Sequence, residues 1–342
     1  MRRTLCAVAA ACAVIAVSDV ALAQQKTLTG LQPTIVGHRG FPGLMPDHTL
    51  EGYRRAIEAG ADFIEPDLVA TKDGALIARH EPMLGQTTDV AQRPEFASRK
   101  TTKRMDGVEV TDWFASDFTL AEIKTLHAKE RVPFRNQSNN GKFAIPTFAE
   151  ILDLRAKASK AQTLGGSGRE IGIYPETKHP SYFVQIGLPL EEPMLAALKT
   201  AGLDTAHAPV FLQSFEPGSL KKLAALTSLR RVQLLPGPGT DISDAGLAAI
   251  AMYAQGIGPA KQMIVPVDKA GNTAPPTDLI ARAHRAGLIV HPYTFRPEKQ
   301  FLPVTYGGDP AQEYCQFVGL GVDGLFTDTP DLALKVLATA CR

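Results

Sequence analysis

Two short motifs place acidic and basic side chains on the same face of a predicted strand. Glu65 and Asp67 are separated by one residue, and Glu176 and Lys178 repeat that spacing. Side chains at i and i+2 of a β-strand point to the same face, so the members of each pair should point together. A proline adjoins each of these carboxylates. Because proline cannot donate to a central ladder, regular pairing should end there, which places the carboxylates at strand ends.

Three carboxylates that converge in a partly dry cleft repel one another, and their pKa values rise unless a cation neutralises them. Oxygen ligands without Cys or His favour a hard ion, Ca²⁺ or Mg²⁺, over zinc. Glu65, Asp67 and Glu176 therefore form a candidate site for a divalent cation. For Glu65 and Asp67 alone, a salt-bridged strand end is an equally good interpretation.

Two histidines occupy comparable strand-end positions. His38-Arg39-Gly40 closes the first predicted strand, and His80 closes a predicted hairpin return. Imidazoles that titrate near neutrality can accept and return protons during a reaction. The planar guanidinium of an arginine can donate two parallel hydrogen bonds to a phosphate. A single histidine at a strand end is more often a polar loop residue. The combination of two histidines, Arg39, Lys178 and three carboxylates at one rim favours a functional site over isolated loop residues.

Strand-like runs alternate with helical patterns from Thr34 onward, which is typical of a parallel sheet wrapped by helices. Phe63–Leu68 and Ala75–His80 are too close for a crossover helix, and Asp73-Gly74 is a hairpin signal, so we expect Ala75–His80 to run antiparallel. The predicted strands are Ile35–His38, Phe63–Leu68, Ala75–His80, Ile171–Glu176, Val210–Phe215, Arg231–Leu235, Met263–Val267, Leu288–Phe295 and Gly324–Thr327.

Without the hairpin return, eight parallel strands remain, each followed by a predicted helix. This count predicts an α/β fold, a (β/α)8 TIM barrel, whose active site would lie at the C-terminal mouth. Residues 82–146 form an insertion between the hairpin and the next helix, and we expect it to cover that mouth. The predicted helices are Leu50–Ala59, Phe148–Ala158, Glu191–Ala201, Pro217–Leu226, Asp244–Gln255, Thr277–Ala286, Pro310–Val318 and Asp331–Ala340.

The N-terminus has the pattern of a secretory signal peptide. Arg2 and Arg3 precede the apolar run Leu5–Val17, and Ala21-Leu22-Ala23 is a small-x-small cleavage signal. The run is shorter than the roughly 20 residues that span a bilayer, so we expect no stable membrane insertion. We expect residues 1–23 to be removed near Ala23 and residues 24–342 to form one secreted, periplasmic domain. Cys315 and Cys341 could pair in an oxidising compartment.

The charge balance argues against a nucleic-acid partner. The chain has 342 residues, with 36 Lys and Arg against 35 Asp and Glu, a formal net charge of +1. Proteins that bind nucleic acid through phosphate contacts usually carry a basic surface, which this composition does not indicate. The sequence does not indicate an oligomeric state.

The ordered motifs resemble those of the glycerophosphodiester phosphodiesterases, most closely the secreted, periplasmic branch. The resemblance covers the chain from about Thr34 to Leu337. Its motifs are His38-Arg39-Gly40, Pro46-Asp47-His48-Thr49-Leu50, the segment Gly60 to Leu68, Thr71-Lys72-Asp73-Gly74, His80, Ile173-Tyr174-Pro175-Glu176-Thr177-Lys178, Ser214-Phe215, Gly256-Ile257-Gly258-Pro259, Ile289 to Thr294 and Gly324-Leu325-Phe326-Thr327-Asp328.

The resemblance implies metal-dependent hydrolysis of small glycerophosphodiesters, such as glycerophosphocholine or glycerophosphoethanolamine, to glycerol 3-phosphate and an alcohol. We expect Ca²⁺ first and Mg²⁺ as the alternative. A cyclic phosphate intermediate and direct attack by water both remain open, as does which histidine acts first. The implied roles are metal ligands for Glu65, Asp67 and Glu176, general acid–base catalysis for His38 and His80, and phosphate binding for Arg39 and Lys178.

Three positions depart from the family pattern. Glu81 stands where Asp is usual, Asp47 where Glu is usual, and Thr177 where an aliphatic residue is usual. None of these changes removes an implied ligand or proton carrier, so they bear on substrate preference.

Two other functions remain open. A phospholipase D-like or sphingomyelinase-like lipid phosphodiesterase would need an exposed apolar rim, for which Trp113, Phe114 and Phe118 are candidates. A periplasmic binding protein that captures glycerophosphodiesters without hydrolysis would have no use for paired proton carriers, so His38 and His80 argue against it.

Overall fold

The computed structural model describes residues 26–165, 169–237 and 239–341. The predicted signal peptide, residues 1–23, and its cleavage signal lie outside the described residues. Within the described part, no helix is both long and apolar enough to cross a bilayer.

Thirteen β-strands are present among the described residues. Their bounds are β1 Thr34–His38, β2 Phe63–Glu65, β3 Asp67–Ala70, β4 Leu76–Ala78, β5 Thr101–Met105, β6 Val108–Asp112, β7 Gly172–Ile173, β8 Glu176–Thr177, β9 Phe211–Ser214, β10 Arg230–Leu235, β11 Gly256–Pro259, β12 Ile289–Val290 and β13 Gly324–Thr327.

Parallel pairing arranges these strands as the predicted (β/α)8 barrel. One run of neighbours is β13-β1-β2-β7, and the other is β12-β11-β10-β9-β8-β3-β4. The two runs join because β2 and β3 are consecutive parts of the second barrel strand, and β7 and β8 are consecutive parts of the third. The remaining gap lies between β12 and β13. The Phe295 N–H closes it by donating to the Phe326 carbonyl at 2.8 Å.

Prolines interrupt the second and third barrel strands, as the sequence predicts. Pro66 separates β2 from β3, and Pro175 directly precedes β8. Each proline carbonyl still accepts a hydrogen bond from the next strand: Glu176 N–H donates to Pro66 at 2.9 Å, and Gln213 N–H to Pro175 at 3.0 Å. Only the missing N–H breaks the ladder, so the carboxylates beside the prolines stay in register with their neighbours.

The antiparallel hairpin return is confirmed. β3 pairs with β4 in the register Leu68↔Ala78. The connecting turn contains Thr71, whose hydroxyl donates to Asp73 at 2.6 Å, and Gly74 with a φ of 80°. A glycine adopts this left-handed conformation without the steric penalty of a Cβ.

Ten α-helices occur in the described residues, including all eight predicted ones. The short helices α2 and α4 were not predicted. The bounds are α1 Leu50–Glu58, α2 Leu120–Ile123, α3 Phe148–Gly165, α4 Pro180–Gln185, α5 Glu191–Thr200, α6 Pro217–Leu226, α7 Asp244–Ala251, α8 Leu279–Arg285, α9 Pro310–Gly319 and α10 Pro330–Thr339.

Alternate residues of the strands divide the core into two parts. Ile35 points outward and packs with residues of α9 and α10, whereas its neighbour Val36 packs with Tyr174 and Phe326 inside the barrel. On the outer surface, a disulfide between Cys315 of α9 and Cys341 after α10 joins the last two helices.

The predicted sixth strand, Met263–Val267, was wrong. The sixth barrel strand is β11, Gly256–Pro259, which pairs with both β10 and β12. A Cβ at Gly256 would come within 2.5 Å of the Ile289 side chain, so close strand contact requires a glycine there. Because β11 contains two glycines and a proline, its sequence resembles that of a loop. In the predicted run, Ile264 and Val265 are buried, but they follow a short 3₁₀ helix and form no strand.

The predicted seventh strand, Leu288–Phe295, was too long. Regular pairing is confined to β12, Ile289–Val290, and isolated bridges continue at Tyr293 and Phe295.

Residues 82–146 contain the antiparallel hairpin β5–β6 and the helix α2. The aromatic side chains of Trp113, Phe114 and Phe118 are buried, so they do not supply the exposed rim considered for a lipid phosphodiesterase. Two arginines of this segment reach the barrel. Arg131 lies 2.9 Å from Asp47, and Arg135 lies 2.7 Å from Asp328.

Candidate active site

One cavity of about 270 Å³ lies at the C-terminal ends of the barrel strands. Six of the seven predicted site residues line it: His38, Arg39, Glu65, His80, Glu176 and Lys178. The seventh, Asp67, lies behind this lining and contacts it through the carboxylate cluster. The structure thus brings together all the residues that the strand-end rule selected.

Strand register explains why the three carboxylates meet. His38 is the register partner of Glu65 on β2, and Asp67 of β3 is the partner of Glu176 on β8. Glu65, Asp67 and Glu176 are all buried, and one oxygen of each lies within 4.8 Å of the others. Burial and the charges of Asp67 and Glu176 raise the pKa of Glu65 well above its ordinary value. Burial likewise raises the pKa of Glu176, to about 8.

This cluster fits a divalent cation. It offers three carboxylates without a thiolate or imidazole among its members, which is the donor set of a hard ion. A neutral oxygen lies beside it: Gln213 donates from Nε2 to Glu65 at 3.1 Å, and its Oε1 is buried without a partner among the described residues. The carboxylates repel one another strongly enough to raise pKa values, and a bound cation relieves that repulsion.

Two cations adjoin the carboxylates. Lys178 places Nζ 2.9 Å from Glu176, and Arg39 places Nη1 3.0 Å from Asp47 and Nε 3.3 Å from Asp67. Arg39 has a φ of 55°, which is uncommon for a residue with a side chain. In this conformation its backbone N–H donates to Glu65 at 2.8 Å. Arg39 therefore contacts the carboxylate cluster through both its backbone and its side chain.

A buried carboxylate orients His38. The Nδ1 of His38 lies 2.7 Å from Oδ1 of Asp328, which follows β13. Burial and the charge of Arg39 lower the pKa of His38 to about 4, against the opposing effect of Asp328. The neutral ring donates from Nδ1 to Asp328, so the Nε2 lone pair remains available to accept a proton.

His80 has the same arrangement. Its Nδ1 lies 2.8 Å from Oε1 of Glu81. Burial and the nearby charges of Arg39 and Lys178 lower its pKa to about 3. Both candidate proton carriers are thus neutral imidazoles that contact a carboxylate through Nδ1. This arrangement leaves Nε2 of each ring for chemistry at the cavity.

Sequence reasoning missed three supporting groups. Asp328 follows a predicted strand, so the strand-end rule applied to Glu65 and Glu176 could have selected it. His48 lies in the motif Pro46-Asp47-His48-Thr49-Leu50, but nothing in the sequence indicates that its Nε2 lies 2.9 Å from Asp67. Gln213 occurs within a predicted strand and gave no separate signal.

Comparison with known proteins identifies the family. Residues 38–332 match the model of the glycerophosphoryl diester phosphodiesterase family. Glycerophosphodiester phosphodiesterase GDPD6 of Arabidopsis thaliana is 41% identical over 335 residues, which cover 91% of this chain and 87% of that protein. The chain belongs to the glycerophosphoryl diester phosphodiesterase family. A family relative from Haemophilus influenzae, a glycerophosphodiester phosphodiesterase, is 28% identical over 94% of this chain and 93% of its own length.

Solved structures of similar proteins share the fold. A glycerophosphodiester phosphodiesterase of Agrobacterium tumefaciens superposes with a TM-score of 0.59 at 21% identity, covering 89% of this chain and all of that one. An Oleispira antarctica phosphodiesterase, solved with the product sn-glycerol-3-phosphate, superposes with a TM-score of 0.62 at 17% identity. The superposition covers 92% of this chain and 100% of that one. The family match to this chain begins at His38 and includes every candidate site residue described above.

Proposed function

We propose that this protein hydrolyses small glycerophosphodiesters, such as glycerophosphocholine and glycerophosphoethanolamine, to glycerol 3-phosphate and the free alcohol. The observation that carries the proposal is the arrangement within one cavity. Two carboxylate-backed imidazoles, His38 and His80, line the same space as Arg39, Lys178 and a carboxylate cluster. A protein that only captured its ligand would need no such pair of proton carriers.

Glu65, Asp67 and Glu176 are the proposed ligands of the divalent cation, with Ca²⁺ as the first candidate and Mg²⁺ as the second. When bound, the cation supplies positive charge that offsets the negative charge of the phosphodiester. Gln213 supports this site by donating to Glu65, which holds that carboxylate toward the cavity.

Arg39 and Lys178 are the proposed phosphate contacts. Both are buried at the cavity wall, where the low dielectric strengthens their interaction with phosphoryl oxygens. Such preorganised donors lower a barrier by several kcal/mol when they act on charge that develops in the transition state. The carboxylates around them keep both side chains oriented before substrate arrives.

His38 and His80 are the proposed acid–base pair. One imidazole accepts the proton of the attacking hydroxyl at Nε2. The other, once it has taken up a proton from solvent, donates that proton to the departing alkoxide. The attacking group is either the glycerol 2-hydroxyl, which gives a cyclic phosphate that water then opens, or water itself. In the cyclic route the two rings exchange roles in the second step, which returns each to its starting protonation state.

A coupled assay for released glycerol 3-phosphate tests the function. Glycerophosphocholine should be hydrolysed in the presence of Ca²⁺ or Mg²⁺, and a chelator should abolish the release. His38→Ala and His80→Ala should each lower kcat by about two to four orders of magnitude. Binding of glycerophosphocholine without release would identify a binding protein. Faster hydrolysis of lysophospholipid micelles would identify a lipid phosphodiesterase.

We also propose that the protein is secreted and is periplasmic after cleavage near Ala23. The charged and apolar N-terminal pattern supports this location, as does the disulfide between Cys315 and Cys341, because disulfides persist in oxidising compartments. Cell fractionation with N-terminal sequencing tests it. The mature chain should begin at Gln24, and recovery of the uncleaved chain in the cytoplasm would contradict the proposal.

A further inference from the structure

His179 connects the candidate active site to the tip of the β5–β6 hairpin. Its Nε2 lies 3.1 Å from Oε2 of Glu81, and its Nδ1 lies 2.6 Å from Oδ2 of Asp106. The other oxygen of Glu81 is the partner of His80. Three contacts thus run from Asp106 through His179 and Glu81 to the ring of a candidate proton carrier.

The charges along this connection favour its formation. An imidazole that meets a carboxylate at each ring nitrogen donates from both, which is the protonated form. Burial alone would lower the pKa of His179, but Glu81 and Asp106 raise it above the ordinary value. Burial alone would raise the pKa of Glu81, yet hydrogen bonds from His179 and His80 hold it well below its usual range. Glu81 is therefore an ionised bridge between two imidazoles.

The backbone on both sides is arranged for this contact. His179 has a φ of 45°, between Lys178 and the proline that begins α4. Asp106 has a φ of 50° and forms a two-residue turn with Gly107, whose φ is 82°. Non-glycine residues in this region are uncommon and persist where surrounding contacts hold them. Two such residues, distant in sequence, meet through their side chains at 2.6 Å.

The hairpin that carries Asp106 is anchored to the rest of the protein. Lys103 of β5 lies 2.5 Å from Asp117 and 4.9 Å from the centre of the Phe114 ring. Met105, the residue before the turn, is buried. The hairpin is therefore held to neighbouring residues of the 82–146 segment by contacts other than the one to His179.

Glu81 makes the connection with its two carboxylate oxygens. Oε1 contacts the ring of the adjacent His80, and Oε2 contacts the ring of His179. The resembling family usually has the shorter Asp at this position.

We propose that His179 is a positioning residue. It contacts both Asp106 at the hairpin tip and Glu81, and through Glu81 it holds the His80 ring with Nε2 toward the cavity. The inference rests on the proposed function for its kinetic consequence. Its structural consequence, the orientation of the His80 ring, is independent of turnover.

Turnover of three variants tests the kinetic part. His179→Gln should lower kcat about tenfold or more at unchanged KM, because misplacement of a proton carrier slows the chemical step. Asp106→Asn should lower kcat about two- to threefold, since its carboxylate is half exposed and such pairs are weak. Glu109→Gln removes an exposed carboxylate from the same hairpin and should match the wild type. A raised KM at wild-type kcat, or an equal loss in the Glu109 variant, would overturn the proposal.

A double-mutant cycle tests whether the residues act through one route. Asp106→Asn should have no further effect once His179→Gln is present. We expect the shorter side chain of Glu81→Asp to lose the contact with His179, so in that background His179→Gln should also have no further effect. Additive losses in both cycles would mean that His179 does not act through Glu81.

Nitrogen-15 NMR of the imidazoles supplies a readout without turnover. The wild type and Glu109→Gln should show His80 as the Nδ1–H tautomer, and His179→Gln should show a mixture. An unchanged His80 spectrum in His179→Gln contradicts the positioning role. Failure of wild-type hydrolysis with these tautomers intact would instead contradict the proposed function and leave the positioning role supported.

Discussion

Asp328 contacts His38 at 2.7 Å through one carboxylate oxygen and two arginines through the other. Arg135 comes from the segment between the hairpin and α3, and Arg296 follows β12. Asp328 is fully buried, and hydrogen bonding from His38, with the charges of the two arginines, overcomes burial and holds its pKa well below the ordinary value. One ionised side chain therefore orients His38 and fixes two other parts of the chain at the barrel mouth.

Asp328→Asn should lower kcat by about two orders of magnitude or more. The amide keeps the shape of the side chain but no longer stabilises a protonated His38 or enforces donation from its Nδ1. Steady-state kinetics measure the loss. Asp331→Asn, which removes an exposed carboxylate three residues later, is the matched control and should leave kcat unchanged. Wild-type kcat in Asp328→Asn would show that His38 needs no carboxylate partner.

Glu65→Gln, Asp67→Asn and Glu176→Gln should each abolish hydrolysis and also the stabilisation of the fold by Ca²⁺ or Mg²⁺. A ligand that binds only the folded state stabilises it by about 2.7 kcal/mol at one hundred times its Kd. Thermal unfolding with and without the ion therefore reports binding separately from activity. Asp204→Asn, at an exposed position, should keep the full increase in Tm. A normal increase in the three ligand variants would place the cation elsewhere.

Lowering the pH should destabilise the protein in part through His291, which is buried and lies 3.2 Å from the hydroxyl of Tyr174. Burial lowers its pKa from 6.5 to about 4, so between these values the unfolded chain binds the proton and the folded protein does not. Stability from this group is complete above pH 6.5 and is lost as the pH falls toward 4.

Urea unfolding at pH 7 and at pH 4.5 measures the effect of His291. The fall in unfolding free energy should be about 2 to 3 kcal/mol smaller in His291→Asn than in the wild type. His207→Asn, at an exposed position, is the control and should follow the wild type. Equal pH dependence in His291→Asn and the wild type would mean that His291 is protonated within the fold.

Removal of the disulfide should lower the unfolding free energy by about 3.5 kcal/mol, the loop-closure value for its sequence separation of 26 residues. Paired Cys315→Ala and Cys341→Ala substitutions test this in urea unfolding. Reductant should destabilise the wild type to a similar extent and leave the double variant unaffected. Equal stability of the two proteins without reductant would show that the thiols are unpaired in solution.

Strand-end positions were the most informative part of the sequence. Glu65, Asp67 and Glu176 were selected because an alternating side-chain pattern stops at a proline, and local sequence determines that feature. Parallel strands in a closed barrel bring such ends to one rim, so the convergence of these residues followed from the fold class.

Contacts across long sequence separations could not be predicted. His38 and Asp328 are 290 residues apart, and no spacing rule relates them. The connection from Asp106 to His179 depends on where the β5–β6 hairpin packs, which tertiary contacts determine. The sixth strand was misplaced for a related reason. Gly256 is unfavourable for a strand by itself and is required because Ile289 packs against it.

The pairing of β1 with β13 has a consequence for biosynthesis. The first barrel strand carries His38, and its neighbour in the sheet is the last one, which positions Asp328. A nascent polypeptide that has not reached residue 328 lacks both the closing strand and the carboxylate that orients His38. The machinery for splitting phosphodiesters is therefore incomplete while the ribosome is still translating the barrel, and it forms only when the two ends of the barrel sequence meet.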